Sequence, residues 1–139
     1  MDYSIIKARH HAIRSGTTTI EHAVFSWVAP TEGDMRRYAS KPGASTATMG
    51  RDAVVEAMTG WTGLLVCDLI PEYEDISEPL AFSRDACGAL MDVRVDWLDQ
   101  LIVDIFRKYS ERKEAIATEK KKQETGSNGT PAKPNKADF

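Results

Sequence analysis

The chain has 139 residues, of which 28% are charged, and a formal net charge of -3. This length fits one domain with a real core plus tails, and it is too short for two full domains. The balanced charge gives no attraction toward nucleic acid or an anionic membrane, so neither partner is expected. Neither cysteine, Cys67 or Cys87, has a neighbour at metal-ligand spacing, and we interpret both as buried thiols in a reducing cytoplasm.

The amino-terminal residues and the apolar runs bear on location. Lys7 and Arg9 are not followed by the apolar core of a signal peptide. The longest apolar run, Leu64 to Cys67, is far shorter than the roughly 20 residues that a membrane span needs. We therefore expect a soluble, cytosolic protein.

The first 30 residues contain two stretches rich in β-branched and aromatic residues, from Tyr3 to Lys7 and from Thr17 to Val28. The polar turn Arg14-Ser15-Gly16 separates them. This pattern predicts a β-hairpin or an extended arm over residues 1–30. The edges of such an arm would be open to a partner strand.

Helices are predicted from residue 31 onward. Thr31 can cap a helix, with Asp34 three residues later near its positive end. Residues 40–48 contain Pro42, Gly43 and small polar side chains, which predict a mobile loop. Whether this loop orders on binding a partner stays open.

A second helix is predicted from Arg51 to Met58, with Gly60 as its C-cap. Trp61 is expected to fold back on that helix. Residues 64–70 fit either a short strand or a buried helical turn. The carboxylates that follow predict an acidic surface loop; they are Asp68, Glu72, Glu74, Asp75 and Glu78.

Two closing helices complete the predicted domain. Ser83 is a suitable N-cap for a short helix through Met91. The last helix has an apolar face at helical spacing, formed by Leu98, Leu101, Ile102, Ile105, Phe106 and Tyr109. The fold class is therefore a mainly α domain of the α+β type over residues 1–118, with residues 119–139 as a disordered charged tail.

No residue pattern in the chain indicates catalysis, a cofactor or a metal. His10 and His11 are adjacent and, in a strand, would point to opposite faces. Ser83 and Cys87 have no histidine after His22 in the sequence to act as a clear base. The expectation is a protein that is not an enzyme and holds no cofactor or metal.

Three stretches in a fixed order do carry a resemblance. They are an aromatic extended segment with a Pro-Thr helix start (residues 25–38), a helix that leads into Gly60-Trp61-Thr62-Gly63 (residues 53–64), and an acidic loop with a Pro-Leu-Ala-Phe-Ser element and closing helices (residues 78–109). Together, over roughly residues 20–112, they resemble the tail assembly chaperone family of long-tailed, siphovirus-type bacteriophages. The loop at residues 40–48 and the insertion at residues 65–71 depart from the family pattern.

The resemblance implies a function in virion morphogenesis. Such a chaperone binds the tape measure protein in the host bacterial cytoplasm, keeps it soluble and helps to recruit subunits of the major tail tube protein. It is absent from the mature virion. The family often makes a longer product by ribosomal frameshifting, for which Lys120-Lys121 is a candidate site, and a homo-oligomer is a further expectation.

Five aromatic residues are predicted to contact the partner: Trp27, Tyr38, Trp61, Trp97 and Phe106. Core packing is the alternative for all of them, and it is favoured for Trp61 and Phe106. The alternative function is a structural virion component, either a head-tail connector or a minor tail protein. A small cytosolic enzyme or regulator is a third possibility, and it would need a deep polar pocket with convergent titratable groups.

Overall fold

The computed structural model describes residues 1–126. Its elements are α1 (Tyr3–Arg14), β1 (Ser15–Ile20), β2 (Ala23–Val28), α2 (Glu32–Ala39), α3 (Thr46–Ala57), β3 (Met58–Thr62), α4 (Val66–Leu69), a 3-10 turn (Pro71–Tyr73), α5 (Arg84–Val93) and α6 (Val95–Gly126). Helices predominate beside one three-stranded sheet, so the predicted α+β class is confirmed. The chain divides into two compact units, Met1–Tyr109 and Ser110–Phe139, and the described part of the second is the rest of α6.

The sheet is antiparallel in the order β1-β2-β3. Burial alternates along β2: Ala23, Phe25 and Trp27 are buried, and the residues between them are partly exposed. Phe25 lies opposite Thr18 on one side and Trp61 on the other. The hairpin between β1 and β2 therefore turns one face inward, as the period-2 pattern requires.

The extended arm predicted for residues 1–30 is wrong in its first half. Residues 3–14 form helix α1, whose N-cap Asp2 accepts a hydrogen bond from the Ser4 hydroxyl at 2.8 Å. The hairpin itself is present, but it lies within residues 15–28 and turns at Glu21, where φ is 55°. The cap at Asp2 favours the helix, and it outweighs the β preference of the isoleucines.

The caps of α2 and α5 were predicted correctly. Thr31 Oγ1 accepts from the Asp34 amide at 3.1 Å, and Asp34 Oδ2 accepts from the Thr31 amide at 2.9 Å, which makes a capping box. Ser83 Oγ accepts from the Ala86 amide at 3.0 Å at the start of α5.

The middle of the chain differs from the prediction in two places. Helix α3 begins at Thr46, because Ser45 and Thr48 form a second capping box, so the loop is shorter than residues 40–48. The helix ends before Met58, and Gly60 and Trp61 lie on strand β3 instead of a C-cap turn. The free edge of β2 offers backbone partners there, which a sequence pattern does not show.

Asp68 is not part of a solvated acidic loop. It is 8% exposed, and its Oδ2 accepts from the Leu65 amide at 2.8 Å at the start of α4. The same oxygen lies 2.8 Å from His22 Nε2 in the hairpin turn. Of the two alternatives left open for residues 64–70, the helical turn is the one that forms.

A chain of polar contacts ties the sheet to α6. The Trp27 indole Nε1 donates to Thr18 Oγ1 at 3.0 Å, and the Thr18 hydroxyl donates to Asp104 Oδ2 at 2.7 Å. Thr18 is buried, so these bonds satisfy groups that would otherwise lose their water without replacement.

Residues 119–126, which were predicted to begin a disordered tail after residue 118, are helical in the structure. Helix α6 continues to Gly126, through residues rich in the strong helix formers Ala, Glu and Lys. The remaining part of the predicted disordered tail, residues 127–139, lies outside the described residues. Among residues 1–126 no helix combines the length and the apolar character that crossing a membrane requires.

Candidate partner-binding groove

An open, mainly apolar groove lies between α2, α3 and the first half of α6. It has a volume of about 450 Å³ and is lined by Met35, Thr46, Ala47, Met49, Gly50, Ile102 and Phe106. All of these residues belong to the Met1–Tyr109 unit.

Each wall of the groove follows from local sequence. The capping box at Ser45 extends α3 by its first turn, which places Thr46, Ala47 and Met49 along one wall. Ile102 and Phe106 are four residues apart on α6 and so share a face of that helix.

Gly50 lies against Ile102 of α6 at the floor of the groove. A Cβ at this position would lie 3.1 Å from Ile102 Cδ1, which is tighter than ordinary contact, so an added side chain would require Ile102 to shift slightly.

The lining suits an apolar partner. The lining residues include no charged residue, and of their side chains that of Thr46 is polar. Met35 and Met49 are half-buried, and unbranched, polarizable methionines adapt to differently shaped partners. A groove of this kind fits the ridge of an amphipathic helix.

The five aromatic residues predicted to contact a partner differ in exposure: three are buried and two are partly exposed. Trp27, Tyr38 and Trp97 are 4%, 5% and 2% exposed, so the expectation that they are surface contacts is wrong. Trp27 packs inward from β2, and Trp97 meets Phe25 edge to face at a centroid distance of 5.9 Å.

Trp61 and Phe106 are partly exposed. Trp61 packs against the buried core, as the core-packing alternative expected. The Trp61 indole donates to the Leu80 carbonyl at 2.8 Å, and its ring meets Phe82 at 4.9 Å. Phe106 is the predicted contact residue that lines the groove.

Sequence reasoning missed the α3 wall, because residues 46–50 were assigned to a loop or left unassigned. The signal that could have found it is the pair Ser45 and Thr48, a serine followed three residues later by a side chain that can return the hydrogen bond. Ile102 was assigned to the apolar face of the last helix, without a reason to place it on a free surface.

A smaller pocket of about 280 Å³, with Lys41, Arg51 and Asp52 among its lining residues, lies beside the start of α3. Its charges are already paired: Lys41 Nζ lies 3.5 Å from Asp52 Oδ2, and Arg51 Nε donates to Asp92 Oδ1 at 2.6 Å. The hydrogen bond from Arg51 holds the pKa of Asp92 below its ordinary value. Such mutual pairing leaves little charge directed at a substrate.

The candidate nucleophiles are in structural positions. Ser83 caps α5, and Cys87 is buried on the same helix. Burial raises the pKa of the Cys87 thiol to about 11, against a smaller opposing effect of Arg84 and Arg51. The thiol is therefore protonated at neutral pH, and the nucleophilic thiolate is scarce.

Histidine placement also differs from the prediction. His10 and His11 lie on helix α1 and not on a strand. Within residues 1–126, no group of three or more His, Cys, Asp or Glu side chains is arranged to hold a metal ion.

Comparison with known proteins adds no relative. No protein-family model, no curated protein and no solved structure matches the chain.

Proposed function

We propose that this protein is a tail assembly chaperone of a long-tailed bacteriophage. In this proposal it binds the tape measure protein, keeps it soluble and helps to recruit subunits of the major tail tube protein. It acts without catalysis in the host bacterial cytoplasm and is absent from the finished virion.

The observation that supports the proposal is the apolar groove between α2, α3 and α6. A tape measure protein is expected to be a long amphipathic helix, and its uncovered apolar stripe would cause aggregation. A groove of about 450 Å³ accepts only a few side chains, so many copies would be needed along such a helix.

The longer frameshifted product is the proposed link to the tube subunit. Its candidate site, Lys120-Lys121, lies on α6 in the structure. Any added domain would therefore follow the part of α6 that ends near Lys121, because the shifted frame replaces the residues after that site.

The first test is co-expression with the tape measure protein encoded in the same genome. We expect a higher soluble yield of the tape measure protein and a complex that co-purifies. If neither appears and the chain is instead found in purified particles, the protein is a structural virion component.

A pair of variants on α6 tests the groove itself. Phe106→Asp places a charge in the groove, whereas Val103→Asp places the same charge on the same helix at a position that is 55% exposed. We expect Phe106→Asp to reduce the recovered complex by about tenfold or more, as for a central contact residue, and Val103→Asp to leave it unchanged.

The melting temperature of each variant, followed by circular dichroism, separates lost binding from lost folding. A Phe106→Asp protein that melts like the Val103→Asp protein and still forms the complex would show that the partner binds elsewhere.

A further inference from the structure

Helix α1 has no buried residue, although it carries large apolar side chains. Ile5, Ile6 and Ile13 are 46%, 46% and 48% exposed. A 12-residue helix is marginal in water when nothing packs against it. The isoleucine face of α1 is therefore an amphipathic surface that nothing else in the described chain covers.

The charges of α1 are of one sign. Lys7, Arg9 and Arg14 lie on it, and no Asp or Glu occurs between Asp2 and Glu21. Arg9 lies one helical turn from each of Ile5, Ile6 and Ile13, so a cation stands in the middle of the isoleucine face. A surface that covers this face must be apolar and must also offer a carboxylate.

The same chain presents such a surface in residues 70–78, which we call the acidic segment. Its large apolar side chains Ile70, Tyr73 and Ile76 are 38%, 48% and 37% exposed. Its carboxylates are Glu72, Glu74, Asp75 and Glu78. No Lys, Arg or His lies between Arg51 and Arg84, so nothing basic on this stretch of sequence offsets them.

Charged side chains on both surfaces can form ion pairs with a second molecule. Within residues 1–126 the structure shows no ion pair for Lys7 or Arg9, nor for Glu72, Glu74 or Asp75. The two surfaces thus match in apolar content and are opposite in charge.

We propose that α1 of one copy docks on the acidic segment of a second copy, so that the chain associates with itself through these two surfaces. The isoleucines of α1 cover Ile70, Tyr73 and Ile76, and Arg9 meets the carboxylates between them. This contact is separate from the groove between α2, α3 and α6, so it stands or falls without the proposed function.

Charge exchange tests the contact in both directions. Lys7→Glu/Arg9→Glu makes α1 acidic, and Glu72→Lys/Glu74→Lys makes the acidic segment basic. Each variant alone opposes like charges, so we expect self-association at least about tenfold weaker by sedimentation velocity. Mixing the two variants restores opposite charges at the contact, and association should return.

A control pair keeps the net charge equal. Lys113→Glu/Lys120→Glu adds the same negative charge at exposed positions of α6. We expect it to associate like the wild type, and higher salt should weaken association of both. The melting temperature of each variant checks that the changes at these exposed positions leave the domain folded.

Three outcomes would overturn the proposal. One is a wild-type chain that stays monomeric at every concentration tested, and another is a mixture of the two charge variants that stays dissociated. The third is a monomer that sediments with vesicles containing phosphatidylserine and loses this binding with Lys7→Glu/Arg9→Glu. That last result would make α1 a membrane-surface helix.

Discussion

Gly63, between β3 and α4, shows how one residue can fix the path of the chain. Its φ of 82° lies in the left-handed region, and a Cβ there would overlap the carbonyl oxygen of His22. Since that oxygen belongs to the backbone of the hairpin turn, it cannot swing away as a flexible side chain would.

We expect Gly63→Ala to lower the free energy of unfolding by about 2 kcal/mol or more, from left-handed strain plus the close contact. Gly43→Ala is the matched control, because Gly43 has a φ of 75° but no atom within 4 Å of an added Cβ. Gly43→Ala should lower the free energy of unfolding by about 1 kcal/mol, from the left-handed strain alone. Urea titration measures both, and equal losses would rule out the close approach to His22.

At the scale of single residues, sequence reasoning was strongest for caps. Thr31 and Ser83 were predicted to begin helices and do so, because a cap depends on side chains a few positions away. Burial was predicted poorly. The sequence offers no reason why Trp97 is enclosed while Phe106 lines an open groove, since both occur in the same helix.

Among the elements, Arg84 adds a second side-chain link between α3 and α5, beside the hydrogen bonds from Arg51 to Asp92. Arg84, in the first turn of α5, donates to the carbonyls of Val55, Glu56 and Met58. The first two carbonyls belong to the end of α3, where helix carbonyls lack partners and a cation is favourable. Arg84 thus fixes the C-terminus of α3 next to the strand that follows it.

We expect Arg84→Met to lower the free energy of unfolding by about 1 to 2 kcal/mol, because it keeps the apolar stem and removes the donors. Arg36→Met, at an exposed position of α2, is the control and should change it by less than about 0.5 kcal/mol. Urea titration compares the two variants. Equal losses of stability in the two variants would mean that Arg84 contributes only through its positive charge and not through these hydrogen bonds.

Whole elements were predicted best where the sequence pattern that indicates them is long. The long apolar series of α6 predicted a helix correctly, and the β-branched and aromatic stretch from Thr17 to Val28 contains strand β2 and most of β1. Strand β3 and helix α1 were missed. The residues of β3 pair with β2 only after the chain has folded back, and α1 has no core contact that its sequence could encode.

At the scale of the molecule, the Met1–Tyr109 unit contains the sheet, the buried core and the groove. Within this unit, helix α1 is joined to the other elements mainly at its C-terminal end, where Arg14 donates to the Ala29 carbonyl at 2.8 Å. No residue of this helix is buried, so we expect α1 to contribute little to the stability of the core.

We expect a chain lacking residues 1–13 to unfold cooperatively, with a free energy of unfolding within about 1 kcal/mol of the full chain. It should also lose self-association if α1 is the contact between copies. Urea titration and sedimentation velocity measure the two effects. A loss of several kcal/mol would show that α1 stabilises the core in a way its exposure does not indicate.

The class of the fold, the start of α2 and α5, and the apolar face of α6 could be predicted from local patterns, since these features depend on side chains close together along the chain. Three other features emerged only in the folded chain: Asp68 is buried against His22, Trp61 lies on a strand, and residues 46–50 form one wall of a groove. These features depend on contacts between residues distant in sequence. The free energy of burial comes from whichever surfaces the completed fold brings together, and local patterns do not record that choice.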